Sequence, residues 1–231
     1  MLNYIENNEK VASVQPKVLS YKNKRYFEHA GAAGGYIDRY GYPYCRGRVL
    51  NKVEVDKGQY DTQADVFWTT GACMLVRREV YLSCGGLDAL FFAHMEEIDL
   101  CWRMQSRGWR LVCLPQSVIY HVGGGSLDYK NPRKTYLNYR NNLLMLYKNL
   151  SPKRLCRVMS MRFILDYASA FVYLLKGEWG NFSAVFHARR DYRKMKKLEK
   201  TNREDNLRKT MVEDIPTKSH RFIVLDSLLH K

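Results

Sequence analysis

The sequence predicts an α/β fold that becomes all-helical after residue 130, and three features carry that reading. The chain opens with a helix followed by a strand. Short apolar runs then alternate with short amphipathic helices across residues 66–122. At Pro132 the pattern turns helical and the charge turns strongly basic.

Leu2, Tyr4 and Ile5 supply the apolar face of the opening helix. Val11 to Leu19 reads as a strand, with Pro16 marking an edge or a strand end. A helix followed by a strand is the second half of a βαβ unit, so a first strand is expected upstream. Residues 28–62 read as one long functional loop, punctuated by Gly31, Gly34, Gly35, Gly41, Pro43, Gly47 and Gly58. Val66-Phe67-Trp68 restores order, and Ala72 to Val76 reads as a buried strand. Arg78 to Cys84 forms a short helix, stopped by left-handed glycine at Gly85-Gly86. Glu96 to Arg107 is a second helix, with an Asp99–Arg103 i,i+4 pair and Gly108 just past its end.

Arg110 to Leu114 and Ser117 to Val122 read as two strands, and Gly123-Gly124-Gly125 breaks the second. Beyond Pro132, Tyr136 to Lys148 is helical. Ser151 and Pro152 then cap and open a helix that runs through the apolar Phe163 to Leu175. Phe182 to Lys200 is a basic helix, and the tail after Thr201 is expected to be polar and partly disordered. Phe163 to Leu175 falls short of the roughly 18 apolar residues of a spanning helix and contains Asp166. It suits an interfacial or buried helix.

The charge is split along the chain. Residues 1–129 hold 15 Lys and Arg against 14 Asp and Glu, whereas residues 130–231 hold 23 against 9. A neutral domain carrying a basic extension points to a polyanion, either an anionic membrane surface or nucleic acid. Nucleic acid is disfavoured because no nucleic-acid motif accompanies the cations. The six cysteines form no C-x-x-C pair and the first residues lack a basic-then-apolar leader pattern. Reduced thiols in a cytoplasmic protein are expected.

Three pieces of sequence carry chemistry. Thr70-Gly71-Ala72 opens a strand. Residues 85–103 join two glycines, Asp88, Phe91-Phe92 and the acidic helix start Glu96-Glu97-Ile98-Asp99. His121 precedes Gly123, Gly124, Gly125 and Ser126. Acids at a helix N-terminus complement the dipole without further purpose. Three acids in four residues exceed that need, and crowded carboxylates raise a pKa toward the range of a general base. His121 is either a structural histidine or a contact to metal or phosphate.

In order and spacing, Trp68 to Ser126 resembles the C-terminal half of family 2 glycosyltransferases of the GT-A fold: TGA, GG-F/L-D, FF, E-D/E-x-D-L-x-x-R, then H-x-x-G-x-S. Arg140-Asn141-Asn142 is a weaker, further likeness. The resemblance implies a partial GT-A sheet over residues 1–129 and a helical basic extension over 130–231. It implies Glu97 as the catalytic base, where the family usually has Asp, with Glu96 and Asp99 orienting acceptor or base. Trp68, Gly71, Ala72, Gly124 and Ser126 would contact substrate, and Trp102 would pack the helix on the sheet. His121 would bind Mg²⁺ or Mn²⁺ or the departing diphosphate.

The family's cation-binding Asp-x-Asp occurs nowhere in the chain. The donor-nucleotide part is therefore expected upstream, and the 231-residue chain alone is expected to have little or no activity. The implied reaction is inverting transfer from a nucleotide sugar to a hydroxyl of a glycan or lipid-linked acceptor, at the inner face of the cell membrane. The alternatives are an inactive short paralogue and a basic binding module.

Overall fold

The computed structural model of the protein describes residues 1–50, 52–123, 131–213 and 222–223. Helix α1, Leu2–Glu6, leads into strand β1, Val11–Ser20. Nine of the ten β1 residues are buried, the signature of a strand covered on both faces. An antiparallel meander follows: β2 (Gly35–Ile37), β3 (Pro43–Cys45), β4 (Arg48–Val49) and β5 (Lys52–Val53). The segment expected as one long loop is thus a small sheet. Strands of two or three residues are too short to display alternation in sequence. Gly35 is required here, because a Cβ would stand 2.0 Å from the Trp68 ring.

β6 (Ala64–Asp65), β7 (Leu75–Val76) and β8 (Arg110–His121) complete the main sheet, ordered β6-β8-β1-β7. β8 runs parallel to β1, while β6 and β7 are antiparallel to their neighbours. Pro16 was expected at an edge or an end; it lies inside β1, past Ser13 and Val14 that pair with β7, so β8 alone pairs with it and its other side is a local edge. Leu114 faces Pro16 and Val118 faces Lys17, so residues 115–117 form a bulge. A bulge tolerates proline because the ladder is interrupted there. The two strands expected over 110–122 are one strand for the same reason. The buried strand expected over Ala72 to Val76 shrinks to Leu75 and Val76, both half-buried.

α2 (Arg78–Ser83) ends at Gly85 and Gly86, with φ of 83° and 64°. A 3-10 turn, Ala89–Phe91, precedes α3, Glu96–Ser106, and Gly108 follows at φ 85°. Four helices complete the chain: α4 (Pro132–Asn149), α5 (Pro152–Leu175), α6 (Trp179–Leu198) and α7 (Lys200–Arg208). Leu143, Leu144, Met145 and Leu146 are consecutive and all buried, so α4 is enclosed on every side. One core cluster runs from Ala12 of β1 through Leu100 and Met104 of α3 to this stretch and to Tyr192 of α6. Sequence after Thr201 was expected to be partly disordered. Within that stretch α7 continues to Arg208, and its Asn206 donates to the Lys148 carbonyl (3.0 Å) and to Asn149 Oδ1 (3.1 Å), while residues 214–221 and 224–231 lie outside the described residues.

α5 is the unusual element. It is long and apolar enough by composition to cross a membrane, yet only 22 % of its most apolar stretch is buried. Its buried side holds two ions, Arg162 and Asp166, between Val158 and Ala170. Asp166 is fully buried and accepts from Arg162 Nε (3.1 Å), Arg189 Nη1 (2.5 Å) and Tyr42 Oη (3.4 Å). Arg162 stacks on the Tyr42 ring, 4.1 Å from its centroid, and also donates to Asn142 Oδ1. Removing the shared carboxylate leaves two buried guanidinium groups facing each other. Asp166→Ala is expected to destabilise the fold by about 3–5 kcal/mol in urea unfolding. A loss under about 1 kcal/mol would show that this network does not fasten α5 and α6.

Candidate active site

The site is built on two backbone features that β1 and α4 hold from opposite sides. The first is the turn after residue 68. Thr69 and Thr70 are buried, and Ser13 Oγ of β1 lies 2.8 Å from Thr69 Oγ1. Thr70 N donates to Gln15 Oε1 (2.9 Å), and Thr70 Oγ1 donates to the Ala30 carbonyl (3.1 Å) and accepts from Ala72 N (3.2 Å). With these threonines fixed, Gly71 and Ala72 stand exposed above them. A Cβ on Gly71 would meet Glu97 Cβ and Cγ at 3.9 Å, so the turn borders the acidic helix start.

The second feature is the entry to α3. Phe92, His94 and Met95 all have positive φ, at 63°, 70° and 75°. Non-glycine residues in that region store strain that the surroundings must hold. Asn141 of α4 does so, its Nδ2 lying 2.8 Å from the Phe91 carbonyl, 2.8 Å from that of Ala93 and 2.7 Å from that of His94. Arg140 Nη2 adds a bond to the Phe91 carbonyl at 2.9 Å. The left-handed Met95 is the N-cap of α3, which places Glu96 and Glu97 in its first turn.

The electrostatics of that turn are distinctive. Burial first, and the Glu96 charge second, push the Glu97 carboxyl up to about 7, against weaker backbone hydrogen bonds. Burial also raises Glu96 and lowers His94. Glu97 Oε2, Glu96 Oε2 and His94 Nε2 are buried and have no hydrogen-bond partner among the described residues. Buried polar atoms are normally paired, so three unpaired ones within four residues need an explanation outside structural stability. A carboxylate that titrates near neutrality beside an exposed glycine turn can accept a proton from a hydroxyl.

The remaining expected site residues separate. Asp99 was expected to orient acceptor or base, but it is fully buried and points at α4. Its carboxylate accepts from Arg103 Nε (2.9 Å), Lys148 Nζ (3.2 Å) and Asn149 Nδ2 (2.8 Å). Local spacing showed that Asp99 lies on a face near Glu96, but only the packing of α4 decides what that face meets. Trp68 was expected at the acceptor. Its side chain is in the core, with Nε1 donating to the Tyr36 carbonyl at 2.9 Å. Trp102 packs edge-on to Phe67, 5.3 Å between centroids, as expected of a core residue.

His121 ends β8 with its side chain partly exposed and Nδ1 3.3 Å from Glu28 Oε2. That separation is an ion-pair distance without hydrogen-bond geometry. Among the described residues no cluster of three His, Cys, Asp or Glu exists that could hold a cation. His121 and Glu28 supply two donors, fewer than the four to six or more oxygen and nitrogen ligands a divalent cation takes. By themselves they do not fit Mg²⁺ or Mn²⁺. Gly124 and Ser126 lie outside the described residues. Sequence reasoning missed His94, and it noted Asn141 without a role. The signal for Asn141 was its place in Arg140-Asn141-Asn142 at the middle of an apolar helix.

A cavity of about 90 Å³ lies elsewhere, between Trp102, Ser106, Leu150, Pro152, Leu207 and Val212. It borders the far end of α3, some 13 Å along the helix from Glu97, and has none of this chemistry.

The family model described as glycosyltransferase like family 2 matches residues 1–140. Over 60 residues, 26 % of this chain, the sequence is 37 % identical to the N-acetylglucosaminyl-diphospho-decaprenol L-rhamnosyltransferase of Mycobacterium tuberculosis, covering 20 % of that protein. It is 35 % identical over 66 residues to the rhamnosyltransferase WbbL of Escherichia coli, covering 29 % of this chain and 25 % of that one. It is 30 % identical over 94 residues to the O-antigen biosynthesis protein RfbC of Myxococcus xanthus, covering 41 % and 7 %. The chain thus spans a quarter or less of each of these relatives.

Two outcomes test this geometry. Asn141→Asp presents oxygens where three carbonyls need a donor, so it is expected to cost about 1–3 kcal/mol and to speed amide exchange over residues 92–96. Unchanged exchange there would remove Asn141 from its holding role. Burial holds the Glu97 carboxyl of the folded chain at about 7, above the 4.5 of a free glutamate. Its contribution to stability is therefore full below pH 4.5 and is lost as pH rises through 7. Glu97→Gln is expected to be more stable than the parent at pH 8, by up to about 3 kcal/mol, and equal to it at pH 4. Equal stability at both values would show that the carboxyl is not held neutral.

Proposed function

The chain belongs to glycosyltransferase family 2, and on that premise we propose that Glu97 is the general base of an inverting sugar transfer. The reaction moves a sugar from a nucleotide sugar to a hydroxyl of a glycan or lipid-linked acceptor, in the synthesis of cell-surface polysaccharide or lipid-linked oligosaccharide. The acceptor hydroxyl enters beside Gly71 and Ala72. Its proton passes to Glu97 as its oxygen bonds to the anomeric carbon. The bond from that carbon to the diphosphate breaks on the opposite face, so the configuration inverts and a nucleoside diphosphate leaves. The similarity to two rhamnosyltransferases supports a deoxyhexose donor and a sugar linked to a polyprenyl diphosphate as acceptor.

The observation that carries the proposal is the Glu97 carboxyl, raised to about 7 with a buried, unpartnered Oε2, on a side chain whose Cβ and Cγ border the Gly71 turn. Glutamate reaches one methylene farther than the aspartate usual in the family, and the strained entry to α3 sets where that longer arm ends. Glu96 tunes this group through its charge. His94, on the same turn with a lowered pKa, offers an uncharged imidazole to position the acceptor. Asp99 reaches no reacting group itself; its bonds to Arg103, Lys148 and Asn149 hold α3, and so the orientation of Glu97.

The test is made in the gene product as its own cells produce it, with nucleotide sugar consumption as the readout. Glu97→Gln is expected to lower kcat by roughly 10²–10⁴-fold. Turnover within threefold of the parent would sink the assignment. For the parent, kcat/KM is expected to rise about tenfold per pH unit below 7 and to level off above it, as the base ionises. A flat profile between pH 5 and 8 would point to a different base.

A further inference from the structure

The hairpin of α5 and α6 turns its apolar side outward. Arg157, Ile164, Ala168, Phe171 and Leu175 are all exposed and follow one another at spacings of 7, 4, 3 and 4 residues. At 100° per residue they form a single stripe. Phe171 is 56 % exposed, Leu175 71 % and Trp179 67 %. Beside the stripe, ring contacts link α5 to α6: Phe163 to Tyr167 at 4.8 Å, Tyr167 to Phe186 at 5.0 Å, Phe186 to Phe182 at 4.9 Å and Phe182 to Trp179 at 6.3 Å. The result is a contiguous apolar surface, which an isolated soluble domain rarely exposes.

Cations occupy the other end of the same hairpin. The turn at residues 176–178 makes α5 and α6 antiparallel, so the start of α5 lies beside the end of α6. Lys153 and Arg157 of α5 are exposed there, with Arg190, Arg193 and Lys194 of α6. The surface therefore has a tip where Phe171, Leu175 and Trp179 are exposed around the turn at residues 176–178, and a basic shoulder. Meanwhile the polar face of α5 is committed inward. Arg162 donates to Asn142 of α4 and to the Tyr40 carbonyl (3.3 Å), and Arg189 of α6 donates to Asp166.

We propose that this hairpin docks the protein on an anionic lipid bilayer, with the tip seated at the acyl boundary and the shoulder over the headgroups. Charge decides between possible occupants. Residues 130–231 hold 23 Lys and Arg against 9 Asp and Glu, so a second copy would bring like charges together, whereas anionic headgroups match them. The inward network decides how deep the hairpin goes. A spanning α5 would have to give up its bonds to α4 and to the Tyr40 turn, whereas a helix lying in the interface keeps them. Trp179 suits the boundary because its ring is apolar and its N–H stays wet.

The test is co-sedimentation of the full chain with vesicles of phosphatidylcholine, alone or with about one-third phosphatidylglycerol. Binding is expected only with phosphatidylglycerol and is expected to weaken as salt rises. The double variant Phe171→Glu/Trp179→Glu changes only exposed side chains, so its fold, checked by circular dichroism, is expected to persist while binding falls at least tenfold. Equal binding to both vesicle types, or unchanged binding of the variant, would overturn the proposal. So would a dimer that the variant splits and vesicles do not. Retention in membranes through alkaline carbonate would overturn it in favour of a spanning helix. These readouts need no turnover, so they stand apart from the role of Glu97.

Discussion

The carboxylate of Asp99 is fully buried, and Arg103, Lys148 and Asn149 converge on it. A carboxylate in that position is stable only while its cations stay in place. The cations reach further still. Arg103 Nη2 donates to the Gly86 carbonyl at 2.8 Å, and its Nη1 to that of Cys84. Lys148 pairs with Asp88 and, against the opposing effect of burial, holds it below the usual carboxylate range. One neutral cluster thereby fixes α3, α4 and the turn after α2 as a unit. The orientation of α3, and with it the direction in which Glu97 points, follows from this cluster.

Strain and charge are separated along α3. The residues leading into it carry strained backbone and its first two carry under-paired carboxylates, while Asp99, two residues on, sits in a fully satisfied ionic cluster. The second supports the first: α4 supplies Lys148 and Asn149 to Asp99 and, two turns earlier, Asn141 to the strained entry. A reactive carboxyl raised by burial costs folding free energy, and the adjoining paired cluster keeps that cost local. The same logic is inverted on the outside of the molecule, where α5 buries Arg162 and Asp166 and exposes Ile164, Phe171 and Leu175.

Much of the framework was legible in sequence because its causes are local. Glycine stops at Gly85, Gly86 and Gly108, the cap at Ser151 followed by Pro152, and the helical spacing from Glu96 follow from rules that act within a few residues. Local spacing marked the acidic start of α3, because crowded acids are a nearest-neighbour feature, but it put Glu96 and Asp99 on one face, and only the family resemblance singled out Glu97. The small sheet over residues 35–53 was not legible, since its strands are shorter than any period. Pro16 marked a local edge of β1, but the bulge opposite it was not legible, because residues 115–117 that form it are a hundred positions away.

The sequence by itself determined that this chain is α/β with a basic helical end, and that acids gather at the start of α3. Composition and short-range spacing suffice for both. Only the tertiary structure decided which of those acids is free. Asp99 is consumed by Lys148 and Asn149, whereas Glu97 is left desolvated and unpaired beside Gly71. It also decided that α5 faces outward with its apolar side, because Arg189 and Asn142 draw its ions inward. Burial and pairing depend on partners brought together by folding, and no local pattern contains them.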